Sequence, residues 1–220
     1  MTEPVSGRLV LIAGATSASG RAAAQALIAA GAQVLAVGHD RGKLDARTAL
    51  GAEVEACDLT DEGAVFALAR RVHDRAGRVD GVLHLVGGWR GGGGLSGQSE
   101  ADFRFLERSL TALRHVSRAF DADLHASASA RTAMISSPAV VRPLAGGANY
   151  AAVKAAGEAW MHAVSQGLAK AARDSGEPLR AAAVVFRVAT LAGSESVLAS
   201  AFVDLWAQEP TDLNDQVIEL

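Results

Sequence analysis

The one tyrosine of the 220-residue chain, Tyr150, stands in "GGANYAAVKAAGEAW" (residues 146–160), and Lys154 follows it four places later. Residues i and i+4 share one face of a helix, so an ammonium at 154 can lie beside a phenol at 150. A neighbouring cation favours phenolate over phenol and draws a tyrosine pKa down from its ordinary value of about 10. Such a phenol can give up a proton near neutral pH and take it back, which is general acid–base chemistry. The plainer alternative is an ordinary helix with one amphipathic aromatic and one exposed lysine.

A second chemistry-bearing stretch is "GATSASGR", directly after the apolar run "RLVLIA". Gly14 and Gly20 have the spacing of a strand-to-helix turn in which backbone N–H groups of Thr16, Ser17, Ala18 and Ser19 can approach a pyrophosphate at a helix N-terminus. Ala18 stands where the middle glycine of such a turn usually sits, and a tight turn holding a helix against a sheet fits the same letters. The next strand ends in "VGHDRGKLD", with Gly38 at its tip. A carboxylate there would bind an adenosine ribose and favour NAD, whereas a basic group would accept a 2′-phosphate and favour NADP. His39 and Arg41 lean the reading towards NADPH, although Asp40 and Arg41 could simply pair with each other. In "ACDLTDE", Asp58 could accept from an adenine amino group with Leu59 adding backbone contacts, or it could cap a helix.

These residues need elements to position them. Apolar runs at 8–13, 33–37, 52–56, 81–86, 131–136, 180–186 and 215–220 read as seven strands, several nearly continuous in apolar residues, as in parallel strands covered on both faces. Helical segments at about 20–30, 41–49, 61–76, 99–120, 148–173 and 195–207 lie between them. That alternation predicts a single-domain, doubly wound α/β Rossmann fold over residues 1–220, with a seven-stranded, mostly parallel sheet. Ser99 with Asp102 three places on predicts a capped helix start, and Gly31 a helix end. "GGWRGGGGLSG" (87–97) is glycine-rich enough for a mobile loop after the fourth strand.

Composition narrows the function. Half of the residues are hydrophobic, a fifth are charged and the formal net charge is −3. With no dense Lys/Arg run, a nucleic-acid or anionic-membrane surface is not expected, so function is sought in a pocket with a small-molecule ligand. The single cysteine, Cys57, cannot form an intramolecular disulfide. The start "MTEPVSGRLV" lacks the features of a secretory signal, and no apolar run nears the roughly 18 residues of a membrane span. A cytoplasmic protein is expected. His84, His115, His125 and His162 have no metal-ligand spacing, and no metal is expected.

Taken together, Tyr150-x-x-x-Lys154, Ser137 thirteen residues before the tyrosine, and the Gly14–Gly20 turn resemble the short-chain dehydrogenase/reductase family over residues 8 to about 190. The resemblance implies an NAD(P)-dependent carbonyl reductase or alcohol dehydrogenase. Tyr150 would protonate the carbonyl oxygen as hydride arrives from the nicotinamide, Ser137 would hold that oxygen, and Lys154 would act on both the phenol and the nicotinamide ribose. It also implies a homodimer or homotetramer packed through the helices at 99–120 and 148–173, and a short substrate-covering segment at about 190–207.

Several positions depart from the family pattern. The usual Asn-Asn-Ala-Gly run is replaced by His84, Leu85, Val86 and Gly87, and "LVGGWRGG" is similar to the loop of the dihydropteridine reductase branch. Val86, Gly87 and Gly88 are still expected beside the cofactor. Ser109 stands where a helix asparagine normally holds a water of the proton relay. Phe186 and Arg187 replace a Pro-Gly pair, leaving backbone groups from Val188 to Thr190 to meet the nicotinamide. Trp89 and Arg90 follow the fourth strand, where ligands of open sheets bind, and could wall a substrate pocket. These departures also admit a redox-inactive cofactor-binding sensor, or a dehydratase or epimerase on the same scaffold.

Overall fold

The computed structural model describes residues 4–220. In chain order the elements are β1 (Leu9–Ala13), α1 (Ala18–Ala29), β2 (Gln33–Gly38), α2 (Arg41–Thr48), β3 (Glu53–Ala56), α3 (Glu62–Ala76), β4 (Gly81–His84), α4 (Glu100–Ala119), α5 (Asp121–Ala126), β5 (Ala130–Ser136), α6 (Ala148–Ser175), β6 (Ala181–Arg187), α7 (Glu195–Asp204), α8 (Pro210–Leu213) and β7 (Val217–Glu219). All seven strands pair in parallel, in the order β3-β2-β1-β4-β5-β6-β7. The strand order reverses between β1 and β4, and a crevice opens there at the strands' carboxyl ends, where open α/β sheets bind ligands.

The continuous apolar runs have a direct cause. Along β1, Val10 and Ile12 join one core while Leu9, Leu11 and Ala13 join the other, and β2 divides in the same way. Both faces of the sheet are therefore covered. Ala23, Ala24 and Leu27 of α1 with Leu198 and Phe202 of α7 fill one side, and Val65, Leu68, Leu113, Val116, Met161 and Leu168 of α3, α4 and α6 fill the other. Burying each of the larger of these side chains contributes roughly 1.5–3 kcal/mol.

The helix ends follow local chemistry. Ser99 Oγ accepts from the Asp102 amide at 3.1 Å to start α4, Asp61 does the same for α3 from Ala64, and Gly31 takes φ +85° after α1. The segment from 195 is not one helix. The α-helical stretch α7 ends at Asp204, a 3-10 turn runs over Leu205–Ala207, and α8 precedes β7. The break is held by Arg131 of β5, a fully buried side chain whose guanidinium donates to the carbonyls of Leu205 (2.8 Å) and Gln208 (2.8 Å). Burial pulls its pKa down to about 10. The region expected to cover the substrate thus packs mainly against α1, with Leu191 and Val197 left exposed. No helix of the described residues is long and apolar enough to cross a membrane.

Candidate active site

The β1–α1 turn is shaped by backbone crowding. Gly14 has φ +85°, and a Cβ there would lie 2.9 Å from the backbone of both Leu85 and Val86, so only glycine lets the end of β1 pass the exit of β4 so closely. Gly20 is likewise pressed on the Ala15 carbonyl. Ala18 is exposed at the first position of α1, outside these contacts, which is why alanine is accommodated there. Ser17 Oγ accepts from the Gly20 amide at 3.0 Å. Ser19 is buried in the first turn. The remaining first-turn amides have no intrahelical acceptor, and the helix dipole adds partial positive charge.

Beside this turn lies a cleft of about 420 Å³. Its walls are Gly14, Thr16 and Ser17 from the turn, Gly38 and His39 from the β2 tip, Cys57 to Thr60 after β3, Leu85 to Gly87 after β4, and Phe105, Arg108 and Ser109 of α4. Of the expected cofactor residues, His39, Asp58, Leu59, Val86 and Gly87 therefore join Gly14, Thr16 and Ser17. Arg41 is not among them: it opens α2 and pairs with Asp45 at 3.3 Å, while Asp40 caps that helix through the Lys43 amide. Asp58 accepts from the Thr60 hydroxyl (2.7 Å) and amide (2.9 Å), which hold its carboxyl below the ordinary range. Gly88, Val188 and Thr190 lie outside the cleft, and the Val188 amide is taken by the Ser136 carbonyl at 3.2 Å.

Two basic residues that touch the cleft or the turn beside it, Arg108 and Arg47, are not marked by the sequence, and neither are the lining residues Cys57, Thr60 and Phe105. Arg108 lines the wall opposite the turn. Arg47 of α2 is 6% exposed and donates to the carbonyls of Ala15 (2.8 Å), Thr16 (3.1 Å) and Ser17 (3.0 Å), gripping the turn from behind. Burial, with Arg21 nearby, lowers its pKa. Its signal was helical spacing, three residues after the buried Leu44 on the inner face of α2.

Beside the Gly87 wall of the cleft, and outside the residues that line it, stands the Ser137, Tyr150 and Lys154 cluster. Ser137 follows the last residue of β5 and is buried, with its Oγ also accepting from the Ala139 amide at 3.3 Å. Helix α6 approaches β5 because residue 157 is glycine, where a Cβ would sit 2.9 Å from Met134 Cε. Lys154 Nζ donates to the Ile135 carbonyl at 2.7 Å and lies 5.8 Å from the Tyr150 ring centroid. A Cβ on Gly87 would stand 3.6 Å from that Nζ, so the cluster abuts the cleft.

The electrostatics differ from the expectation for Tyr150. Burial pushes its phenol above the ordinary value, and the hydrogen bond with Ser137 only partly offsets this. The lysine, held on a backbone carbonyl, does not set the direction. Burial also brings Lys154 down to about 8, opposed by the nearby Glu158 carboxylate. Glu158, one turn further along α6, is 5% exposed and accepts from Ser136 Oγ (2.5 Å) and from Arg187 Nε (2.9 Å) and Nη2 (2.7 Å). Arg187 thus holds α6 to β6, and Phe186 is core. The Ser109 hydroxyl donates to the Leu106 carbonyl of its own helix at 2.7 Å. Its carbonyl accepts from Nε2 of the buried His84 at 3.2 Å.

Trp89 is 61% exposed, and Arg90 lies 3.9 Å over the Phe105 ring. The glycine-rich loop is not free of ties. Gln98 donates to the carbonyls of Gly92 (3.1 Å) and Gly146 (2.9 Å), and its Oε1 accepts from the Asn149 amide at 3.2 Å. The Gly92 amide adds a 2.7 Å bond to Gly146. Among the described residues no group of three His, Cys, Asp or Glu side chains could hold a metal ion.

A doubly wound parallel sheet with a glycine-turn cleft leading to a Ser–Tyr–Lys cluster defines an α/β nucleotide-binding enzyme scaffold. Residues 8–172 match the family model described as short chain dehydrogenase. The chain belongs to that family. A Streptomyces sp. (strain C5) protein named as a daunorubicin C-13 ketoreductase, DnrU, is 42% identical over 89 residues, which span 37% of this chain and 31% of that relative. Among solved structures, a metagenomic short-chain oxidoreductase in complex with NADP is 26% identical with a TM-score of 0.82, covering 98% of both chains. L-sorbose reductase from Gluconobacter frateurii, complexed with NADPH and L-sorbose, is 17% identical with a TM-score of 0.84, covering 100% of this chain and 97% of that one.

Proposed function

We propose that this protein is an NADPH-dependent reductase of apolar ketones or aldehydes. The observation that carries the reading is the Ser137–Tyr150–Lys154 cluster abutting the Gly87 end of the 420 Å³ cleft. The fit of a dinucleotide rests on the crowded Gly14, which lets the β1–α1 turn pass close to the exit of β4 at the cleft, and on the first-turn amides of α1. Gly14, Thr16 and Ser17 would hold the pyrophosphate, with Arg47 fixing the turn. His39 and Arg108 would favour the 2′-phosphate, since Arg41 is engaged by Asp45. The bound nicotinamide supplies the hydride.

The chain's own groups handle the proton and the carbonyl. Ser137 hydrogen-bonds the substrate oxygen and Tyr150 donates the proton to it. The raised phenol pKa keeps that donor protonated throughout the neutral range. Lys154, charged below about pH 8, offers positive potential beside the developing alkoxide. The apolar class of substrate follows from the rim: Trp89, Leu95, Phe105, Val141, Leu144, Leu191 and Val197 are exposed, and all lie in segments that follow the carboxyl ends of β4, β5 and β6. The homologue named for a C-13 ketoreduction and the neighbours carrying NADP agree with this reading.

The test is a panel of aliphatic and aryl ketones with NADPH or NADH, using wild type and Tyr150→Phe. Turnover with NADPH should fall at least ~10²-fold in the variant, while NADPH binding, read by tryptophan fluorescence, stays within about twofold. Unchanged turnover would remove Tyr150 as the proton donor.

A further inference from the structure

Among the described residues, one buried side-chain polar atom has no hydrogen-bond partner: Nδ1 of His84. The ring is only 4% exposed. Its Nε2 faces the Ser109 carbonyl at 3.2 Å, and a carbonyl can only accept, so Nε2 carries the proton and Nδ1 of the neutral ring is a bare acceptor. A buried acceptor without a donor is costly, and native proteins seldom leave one so.

The ring borders a cavity of about 10 Å³ shared with Ser109, Met134, Ile135, Lys154 and Gly157. That is about the space of one water. Across it, the Lys154 ammonium has three donors and uses one on the Ile135 carbonyl. The Ser109 hydroxyl donates to the Leu106 carbonyl and keeps lone pairs that can also accept; what singles out His84 is that its Nδ1 has no other partner.

We propose that one ordered water in this cavity accepts from the Lys154 ammonium and donates to His84 Nδ1, making His84 a positioning residue that fixes the lysine's charge beside Tyr150. Burial and the lysine's charge keep the imidazole neutral down to about pH 3, so it remains an acceptor throughout the working range. The inference rests on the reading of Lys154 as the electrostatic partner of Tyr150. The titratable groups facing Lys154 are His84 from β4, with Tyr150 and Glu158 from its own helix. β5 and α4 contribute Met134, Ile135, Ser109, Leu110 and Leu113, which do not titrate.

The test combines ¹⁵N-histidine NMR of the full chain with the pH dependence of kcat/KM for wild type, His84→Leu and His84→Asn. In the wild type the His84 ring should hold the Nε2–H tautomer with a hydrogen-bonded Nδ1 and stay neutral at about pH 5, well below the ordinary histidine range. Removing an acceptor of the ammonium disfavours the charged lysine, so in His84→Leu the alkaline limb should move to lower pH by on the order of one unit. In His84→Asn, whose carboxamide both accepts from the water and donates to the Ser109 carbonyl, the limb should return towards wild type. A titrating or Nδ1-protonated His84, or an unmoved limb in His84→Leu, overturns the proposal. If the leucine variant does not fold, the wild-type ring signals and the asparagine profile decide it. A Tyr150→Phe enzyme that retains turnover would defeat the functional reading, whereas the histidine spectra judge the water bridge independently of turnover.

Discussion

Replacing Glu158 with alanine should destabilise the protein by about 3 kcal/mol, the lower end of the ~3–5 kcal/mol range for breaking a buried ion pair. The carboxylate is 6% exposed by side chain and accepts three hydrogen bonds, from Ser136 Oγ and from both nitrogens presented by Arg187. Without it, the Arg187 guanidinium keeps only the exposed Glu219 at 3.3 Å, and Ser136 loses its acceptor. The lower end applies because the arginine side chain retains 17% exposure and can recover some water. For a chain of this size, 3 kcal/mol corresponds to a fall of about 6–12 °C in Tm. Chemical denaturation at pH 7 measures it, with Glu158→Leu/Arg187→Leu as the control. The double variant should lie near wild type, because two charges are removed together and the space is refilled with apolar atoms.

The pH dependence has a definite sign. Burial alone would raise the Glu158 carboxyl, but the hydrogen bonds from Arg187 and Ser136 win and hold it below its ordinary value of 4.5. A depressed folded-state pKa contributes stability that is present above the unfolded value and lost as pH falls through the folded one. The gap between wild type and Glu158→Ala should therefore be full at pH 7 and close on acidification below about pH 4.5. A single-variant loss under about 1 kcal/mol, or a gap independent of pH, would refute the assignment of this pair as buried and coupled.

Other outcomes follow from the same geometry. Arg47→Met removes the donors from three carbonyls of the β1–α1 turn and should weaken NADPH binding by about tenfold or more, equivalent to ~1.4 kcal/mol, read by fluorescence titration. Because burial raises the Tyr150 phenol, alcohol oxidation, which needs the phenolate, should still be gaining rate above about pH 9; a plateau well below that would contradict the direction. Gln98→Ala should raise KM for ketones several-fold while leaving NADPH affinity within about twofold, measured by steady-state kinetics and titration. Arg131→Met strands the Leu205 and Gln208 carbonyls and should lower stability by ~2–3 kcal/mol, seen in denaturant melts.

The sheet was legible because apolar runs of strand length, separated by helical spacing, leave few other folds for a chain with strands covered on both sides. The glycine turn and the Ser137, Tyr150 and Lys154 set could be read because their spacings are local. What could not be read depends on long-range approach. Arg47 contacts residues about thirty positions earlier, Gln98 reaches Gly146, and His84 meets Ser109 and Lys154 from two other elements. Arg41 is ambiguous in sequence for a related reason, since a basic residue near a strand tip is equally well used by an i,i+4 partner such as Asp45. The phenol of Tyr150 was misjudged because spacing reveals a neighbouring charge but not the desolvation that outweighs it.

The Gln98 amide, bonded at once to the loop after β4 and to the segment entering α6, has a consequence for redesign. The two stretches that would frame an incoming ketone are fastened together, so they should be exchanged between family members as one cassette, 87–98 with 144–149. Grafting either alone would leave carbonyls at Gly92 or Gly146 facing a partner that no longer matches, and altered substrate choice would be confounded with a loosened frame.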